Sequence, residues 1–370
     1  MMSLRKAFAS VALLAGLTAG LVGAAEKTAG LDQTGKPDLK SAGPLAFGPE
    51  GVLFVGDTQG AALFAIGVDP GTKGAVPSDF HVEGVNTKLA AILGTKPNDI
   101  LINDMAVQPE TGIAYLSVSR GTGPAAEPVI AKITPAGEVS VVDLSKVQFA
   151  KVALTNVPGA EVKDRRGNSA RAESITDLHY VEGRVFLAGL SNEEFASKLR
   201  AITFPFASAD LGTSIEIYHG AHGAFETRSP VRTFTPFTVN GEPHLLAAYT
   251  CTPLVTIPLS QLKAGAKLRG TTIAELGNRN RPIDMISYDK DGQTYLLLAN
   301  NARGVMKIRT QNIEKQSGIT DRVDGTAGLG YDTIASLKGV EHLDKLGKTS
   351  ALLLVKGDDT NFSLQSIPLP

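Results

Sequence analysis

The sequence predicts an all-β fold, a β-propeller with six blades. Three observations carry this reading. Short β-prone runs are joined by Asn-Gly, Asp-Gly or Glu-Gly pairs, the signature of tight hairpins. The same unit of run, turn and run recurs six times at intervals of roughly 50 to 70 residues, the length of one blade with variable loops. The runs sustain no 3.6-residue polar period, which weighs against helical repeats and against a chain of βαβ units. A single blade cannot bury both faces of its sheet, so blades stack around an axis and pack on their neighbours.

The chain opens with Arg5 and Lys6 and then runs from Ala7 to Val22 without a charged residue, ending in the small residues Gly23, Ala24 and Ala25. These are the n-region, h-region and cleavage site of a secretory leader. The apolar stretch is shorter than the roughly 20 residues of a bilayer span. Residues 1–25 are expected to be a signal peptide, 26–42 an N-terminal arm and 43–370 one propeller domain, periplasmic or secreted, with no membrane span after cleavage. Processing removes two basic residues and no acid, so the formal charge of −1 becomes −3. Basic residues form no continuous patch, and no nucleic-acid partner is expected. Cys251 is the only cysteine. That rules out an intrachain disulfide, a CxxC pair and a Cys-rich zinc site, and leaves stability to the core.

The first unit is expected to place strands at 45–47, 52–55 and 61–66, around a turn at 48–51. The second has 102–107, a turn at 109–112, then 113–116, 129–133 and an outer strand at 139–142. The third has 175–180, Glu182-Gly183, 185–188 and 199–204. The fourth has 231–237, Asn240-Gly241, 244–249 and 254–257. The fifth has 283–288, a turn at 289–292, 294–298 and 304–308, and the sixth 334–337, 351–355 and 362–367. Residues 143–173 and 205–230 are long enough to hold irregular strands. The glycines of 324–330 read as a flexible connection. The run 362–367 is placed to close the ring beside Leu45.

The pieces Phe47-Gly-Pro-Glu-Gly-Val-Leu-Phe-Val-Gly-Asp57, Asn103-Asp-Met-Ala-Val-Gln-Pro-Glu-Thr-Gly-Ile-Ala-Tyr115 and Arg281-Pro-Ile-Asp-Met-Ile-Ser-Tyr-Asp-Lys-Asp-Gly292 resemble blade motifs of the six-bladed NHL, SMP-30 gluconolactonase and paraoxonase-like proteins. The resemblance implies a propeller, and in its metal-dependent lactonases a Ca²⁺ or other divalent ion held at the channel by Asp, Asn and Glu. Asn103, Asp177 and Asp284 match such positions, with Asp104 the alternative to Asn103. Residues 41–45 carry no acidic residue, so one ligand position of that family has no counterpart here.

The residues themselves also point to the axis. Asp104 precedes Met105, Asp177 precedes Leu178 and Asp284 precedes Met285, with Asp332 before Ile334 a further candidate. Equivalent blades would bring these carboxylates to one channel mouth, where a hard cation with ~6 to 8 oxygen ligands would offset their repulsion. The other reading is structural, since Asp at a strand entrance accepts backbone N–H bonds. His179 follows Asp177 by two and so shares its strand face, which makes it the candidate general base. His219, His222, His244 and Cys251 form an alternative Cu or Zn site, because imidazole and thiolate suit such ions. Asn300, Asn301 and Arg303 form a candidate ligand loop of amides and a guanidinium.

Three functions remain open at this level. The first is binding of a periplasmic small molecule or protein through the channel or rim loops. The second is divalent-metal-dependent hydrolysis of a lactone or ester, and the third a Cu- or Zn-associated role. HExxH, GxxxxGK[ST], GxSxG and GxGxxG motifs are absent from the sequence.

Overall fold

The computed structural model describes residues 28–370 except Pro70, Thr72, Arg165, Arg166, Ala209, Asp210, Thr252, Asp359 and Thr360. The expected leader at 1–25 lies outside the described residues. The strands form six sheets arranged as a six-bladed β-propeller. The inner strands of blades 1 to 6, numbered in chain order, are Leu45–Phe47, Ile100–Val107, Asp177–Val181, Val231–Val239, Pro282–Lys290 and Val340–Leu346.

Several hairpins turn where the sequence places them. Glu182 and Gly183 (φ 47° and 80°), Asn240 and Gly241 (50° and 78°) and Asp291 and Gly292 (52° and 74°) are left-handed pairs, the geometry that matches the right-handed twist of the flanking strands. The middle strands are continuous apolar runs because both faces are covered. In Val52–Asp57 of blade 1, Leu53 and Val55 pack with Ala106, Tyr115 and Ile130 of blade 2, while Val52 and Phe54 pack with Leu178, Val185 and Leu187 of blade 3. Six such clusters occupy the six junctions between blades. Each fully buried Leu or Phe contributes about 1.5–3 kcal/mol, which is how the ring holds together without a disulfide.

The blades do not follow chain order around the ring. Their inner strands neighbour one another in the order 2, 1, 3, 4, 5, 6, and blade 6 meets blade 2. The chain leaves blade 1 after Ala62–Gly67, lays His81–Val82 on the edge of blade 6 and builds blade 2. It then returns with Val147–Ala153 to pair beside Ala62–Gly67. Gln33–Gly35, from the expected arm, adds an edge strand to blade 1.

The ring is therefore closed differently from the sequence expectation. Phe362–Pro368 pairs with Ser350–Lys356 and His81–Val82, not beside Leu45. Residues 331–334 form the outer strand of blade 5, where Asp332 pairs with Arg309 in solvent. The inner strand of blade 6 is Val340–Leu346, in which Glu341, His342, Asp344 and Lys345 interrupt the apolar pattern. Thr326–Gly328 is a fifth strand of blade 4, not a flexible connection. Gly328 is left-handed there, and a Cβ on it would fall 2.0 Å from the Ile273 carbonyl oxygen. Residues 143–173 and 205–230 supply Val147–Ala153, Thr213–His219 and Ala224–Glu226. A helix, Val85–Leu93, was not anticipated; it buries Val85, Leu89 and Ala90 between blades 2 and 6.

Candidate functional site

Three inner strands carry an aspartate at the same level, a fourth carries Asp344 two residues beyond His342, the equivalent of Asp104, and each of the four reaches the next blade. Asp104 accepts from the Met105 N–H at 2.8 Å and from the Leu45 N–H of blade 1 at 2.6 Å. Asp177 accepts from Leu178 N–H at 2.7 Å and Phe234 N–H of blade 4 at 2.7 Å. Asp284 accepts from Leu343 N–H of blade 6 at 2.9 Å. Asp344 accepts from Lys345 N–H at 2.7 Å and Val107 N–H of blade 2 at 2.8 Å. These carboxylates are strand clamps as well as channel groups.

All four line an axial cavity of about 560 Å³. Met105, Leu178, Met285 and Leu343 stand beside them, and Phe47, Tyr180 and Pro109 line it further along. Lys345 and Lys348 also border the cavity, on either side of the turn at Gly347. His179 lines it and meets the Phe234 ring edge-on at 5.0 Å between centroids.

His342 is the group the sequence reading missed. Its Nδ1 lies 3.0 Å from Asp284 Oδ2 and 3.5 Å from Asp104 Oδ1. Burial opposes its charge, but the Asp284 and Asp104 carboxylates outweigh that and lift it to about 9. Burial and the neighbouring carboxylates push Asp104 up to about 7 and Asp177 well above the ordinary range, and burial brings Asp344 to about 6. Burial lowers His179 to about 4, so its imidazole is neutral at pH 7. Asp344 is followed by Lys345 and so falls outside the Asp-apolar frame of the other three, a frame that His342-Leu343 occupies in blade 6.

The other candidates lie elsewhere. Asn103 sits in a bulge and donates to the Ala42 carbonyl at 2.8 Å and to Ser119 at 3.0 Å; it does not line the cavity. Asn300 is buried and donates to Asn280, and its own Oδ1 accepts from the Ala302 and Arg303 N–H groups. Asn301 accepts from Arg281 N–H, and Arg303 donates to the Asn278 carbonyl. Asn300 pairs with Pro282, two residues before Asp284, and none of Asn300, Asn301 and Arg303 lines the cavity. His219 and His222 come together, with ring centroids 4.0 Å apart, and share Glu226. His244 instead contacts the Glu242 carbonyl, and Cys251 occupies a left-handed turn position; neither belongs to that group.

The sequence matches no protein-family model and no curated protein. Among solved structures, the fold is similar to the PQQ-bound aldose sugar dehydrogenase of Streptomyces coelicolor (11% identity, TM-score 0.37, 91% of this chain and 97% of that one). It is also similar to a putative oxidoreductase (glucose dehydrogenase) of Thermus thermophilus (12%, 0.37, 90% and 99%) and to a streptogramin B lyase (8%, 0.36, 91% and 97%). Likeness at this level transfers no activity to this chain.

Proposed function

We propose that the protein is an exported propeller that binds a small molecule in its axial cavity. The cavity carries this reading: about 560 Å³ falls within the roughly 300–1,000 Å³ of small-molecule sites, and it combines apolar walls with a few convergent polar groups. Ligand hydroxyl or ammonium groups would meet the acceptors of Asp104, Asp177 and Asp284. An apolar body would lie against Met105, Met285 and Tyr180, and an anionic end would suit Lys345 and Lys348. The leader-like N-terminus supports a periplasmic setting and a periplasmic ligand.

The resemblance to the gluconolactonase and paraoxonase-like group suggests a second reading, a metal-dependent hydrolase. Its specific support is that ligating atoms of Asp104, Asp284 and His342 lie within 4.8 Å of one another. A calcium ion fits this donor set poorly. His342 brings a nitrogen and a positive charge where calcium takes oxygens.

The test is mass spectrometry of small molecules released from the purified native protein, with retention compared in Asp284→Asn and Ser287→Trp. We expect a ligand near one equivalent in wild type and at least about tenfold less in both variants, the loss tracking about 1.4 kcal/mol per decade. Undiminished retention in both variants would sink the cavity reading. A divalent ion retained by wild type and lost in Asp284→Asn would instead favour the hydrolase.

A further inference from the structure

A second cluster of ligating groups sits on the outer rim of blade 3, built by one hairpin. Thr213–His219 pairs with Ala224–Glu226 so that Glu226 faces Ile217 and His219 faces Ala224. His219, two residues beyond Ile217, therefore shares a face with Glu226. The intervening turn is closed by Gly223 N–H to the His219 carbonyl at 2.9 Å, with Gly223 at φ 66°. It folds His222 back onto the same carboxylate. His219 Nδ1 lies 3.0 Å from Glu226 Oε2, and His222 Nδ1 lies 2.5 Å from Glu226 Oε1.

Blade 4 adds a fourth group from below. Glu275 is 1% exposed and accepts from the Gly220 N–H at 2.6 Å through Oε1. A side chain at residue 220 would meet Glu275 Cγ and Oε1 at 3.0 Å, so glycine permits this approach. Two buried atoms here have no hydrogen-bond partner among the described residues: Glu275 Oε2 and His219 Nε2. His219 is itself only 3% exposed. An unpaired carboxylate oxygen and an unpaired imidazole nitrogen, both buried beside two further ligating groups, are costly unless something else is bound there.

We propose that His219, His222 and Glu226 bind a divalent transition-metal ion of the zinc class, with Glu275 as the charged group behind them. Two imidazole nitrogens and one carboxylate make a three-ligand set with a fourth position open, and nitrogen donors select against magnesium and calcium. A dication offsets both glutamates. An ion on Nδ1 of His219 fixes the proton on its Nε2, and Glu275 Oε2 can take that proton's hydrogen bond across one water, as outer-shell carboxylates do for metal-bound histidines. The four residues are absent from the lining of the axial cavity, so the site is independent of the ligand proposed there. Compared with the set expected from sequence, Glu226 and Glu275 stand where His244 and Cys251 were anticipated.

The experiment titrates the metal-stripped, full mature protein with Co²⁺, followed by visible absorption, and then displaces the Co²⁺ with Zn²⁺. We expect one ion per chain and the intense bands of a four-coordinate cobalt site. His222 is exposed on its turn, so His222→Ala should fold normally while binding at least about 100-fold more weakly. Glu275→Gln should weaken binding by about 10-fold, as removal of an outer-shell partner does. Asp284→Asn should bind as wild type. Absence of a stoichiometric ion, wild-type affinity in His222→Ala, or loss of the ion in Asp284→Asn would each overturn the proposal.

Discussion

His342, held between Asp284 and Asp104, makes the centre of the ring a proton-holding group. Its pKa of about 9 in the folded chain lies above the 6.5 of an ordinary histidine. The folded state therefore keeps a proton that the unfolded chain releases, and the associated stability is present below about pH 6.5 and lost as the pH rises through about 9. Asp104, raised from 3.8 to about 7, acts with the same sign: its ionisation between about pH 4 and 7 costs stability in the fold. Wild type should lose on the order of 2–3 kcal/mol between pH 6.5 and 9.5. His342→Gln should flatten that part of the profile. Thermal melts of both proteins across this range check it, and parallel profiles would refute the role of His342. Asp104, Asp177 and Asp284 were legible because each stands beside an apolar residue in a recurring frame. His342 was not, because the polar residues around it hid the strand that carries it.

At the scale of the element, an aspartate ties each of four inner strands to a neighbouring blade. Asp177 serves two N–H groups, of Leu178 and Phe234, and each buried N–H left without an acceptor costs about 1–3 kcal/mol. Asp177→Ala should destabilise by about 2–4 kcal/mol. Asp177→Asn, which keeps one acceptor oxygen, should cost less. The urea midpoints of the two variants decide the matter, and equal midpoints would show that the clamp bonds contribute little. Both readings of these residues made from sequence, structural cap and channel group, meet in one geometry, because the same carboxylates bond backbone and face the cavity. The hairpin of the proposed metal site was half legible. The two histidines were conspicuous in sequence, whereas Glu275 is joined to them only by the packing of blade 4 on blade 3.

The whole ring is closed by strands from distant parts of the chain. Blade 6 takes its third strand from Phe362–Pro368 and its outer strand from His81–Val82. The final residues are also tied inward, since Tyr288 and Lys307 donate to the Pro370 carbonyl and Lys290 to that of Leu369. Deleting residues 362–370 would expose Leu352 and Leu354, which are fully buried, and remove Leu364 from the junction with blade 2. We expect the deletion to abolish the cooperative calorimetric transition. A transition kept within a few degrees of wild type would indicate that closure of this blade contributes little to stability.

The sequence by itself determined the all-β class, the number of repeating units, the turns with left-handed Asn-Gly and Asp-Gly pairs, and three of the four axial aspartates. These are local properties: turn conformation and strand patterning depend on residues a few positions apart. Only the tertiary structure decided the order of the blades, the strand that lines blade 6, the His342 pairing and the Glu275 contact. Each of these depends on which distant strand lies alongside, and in a ring whose apolar blades resemble one another the local pattern carries little of that information.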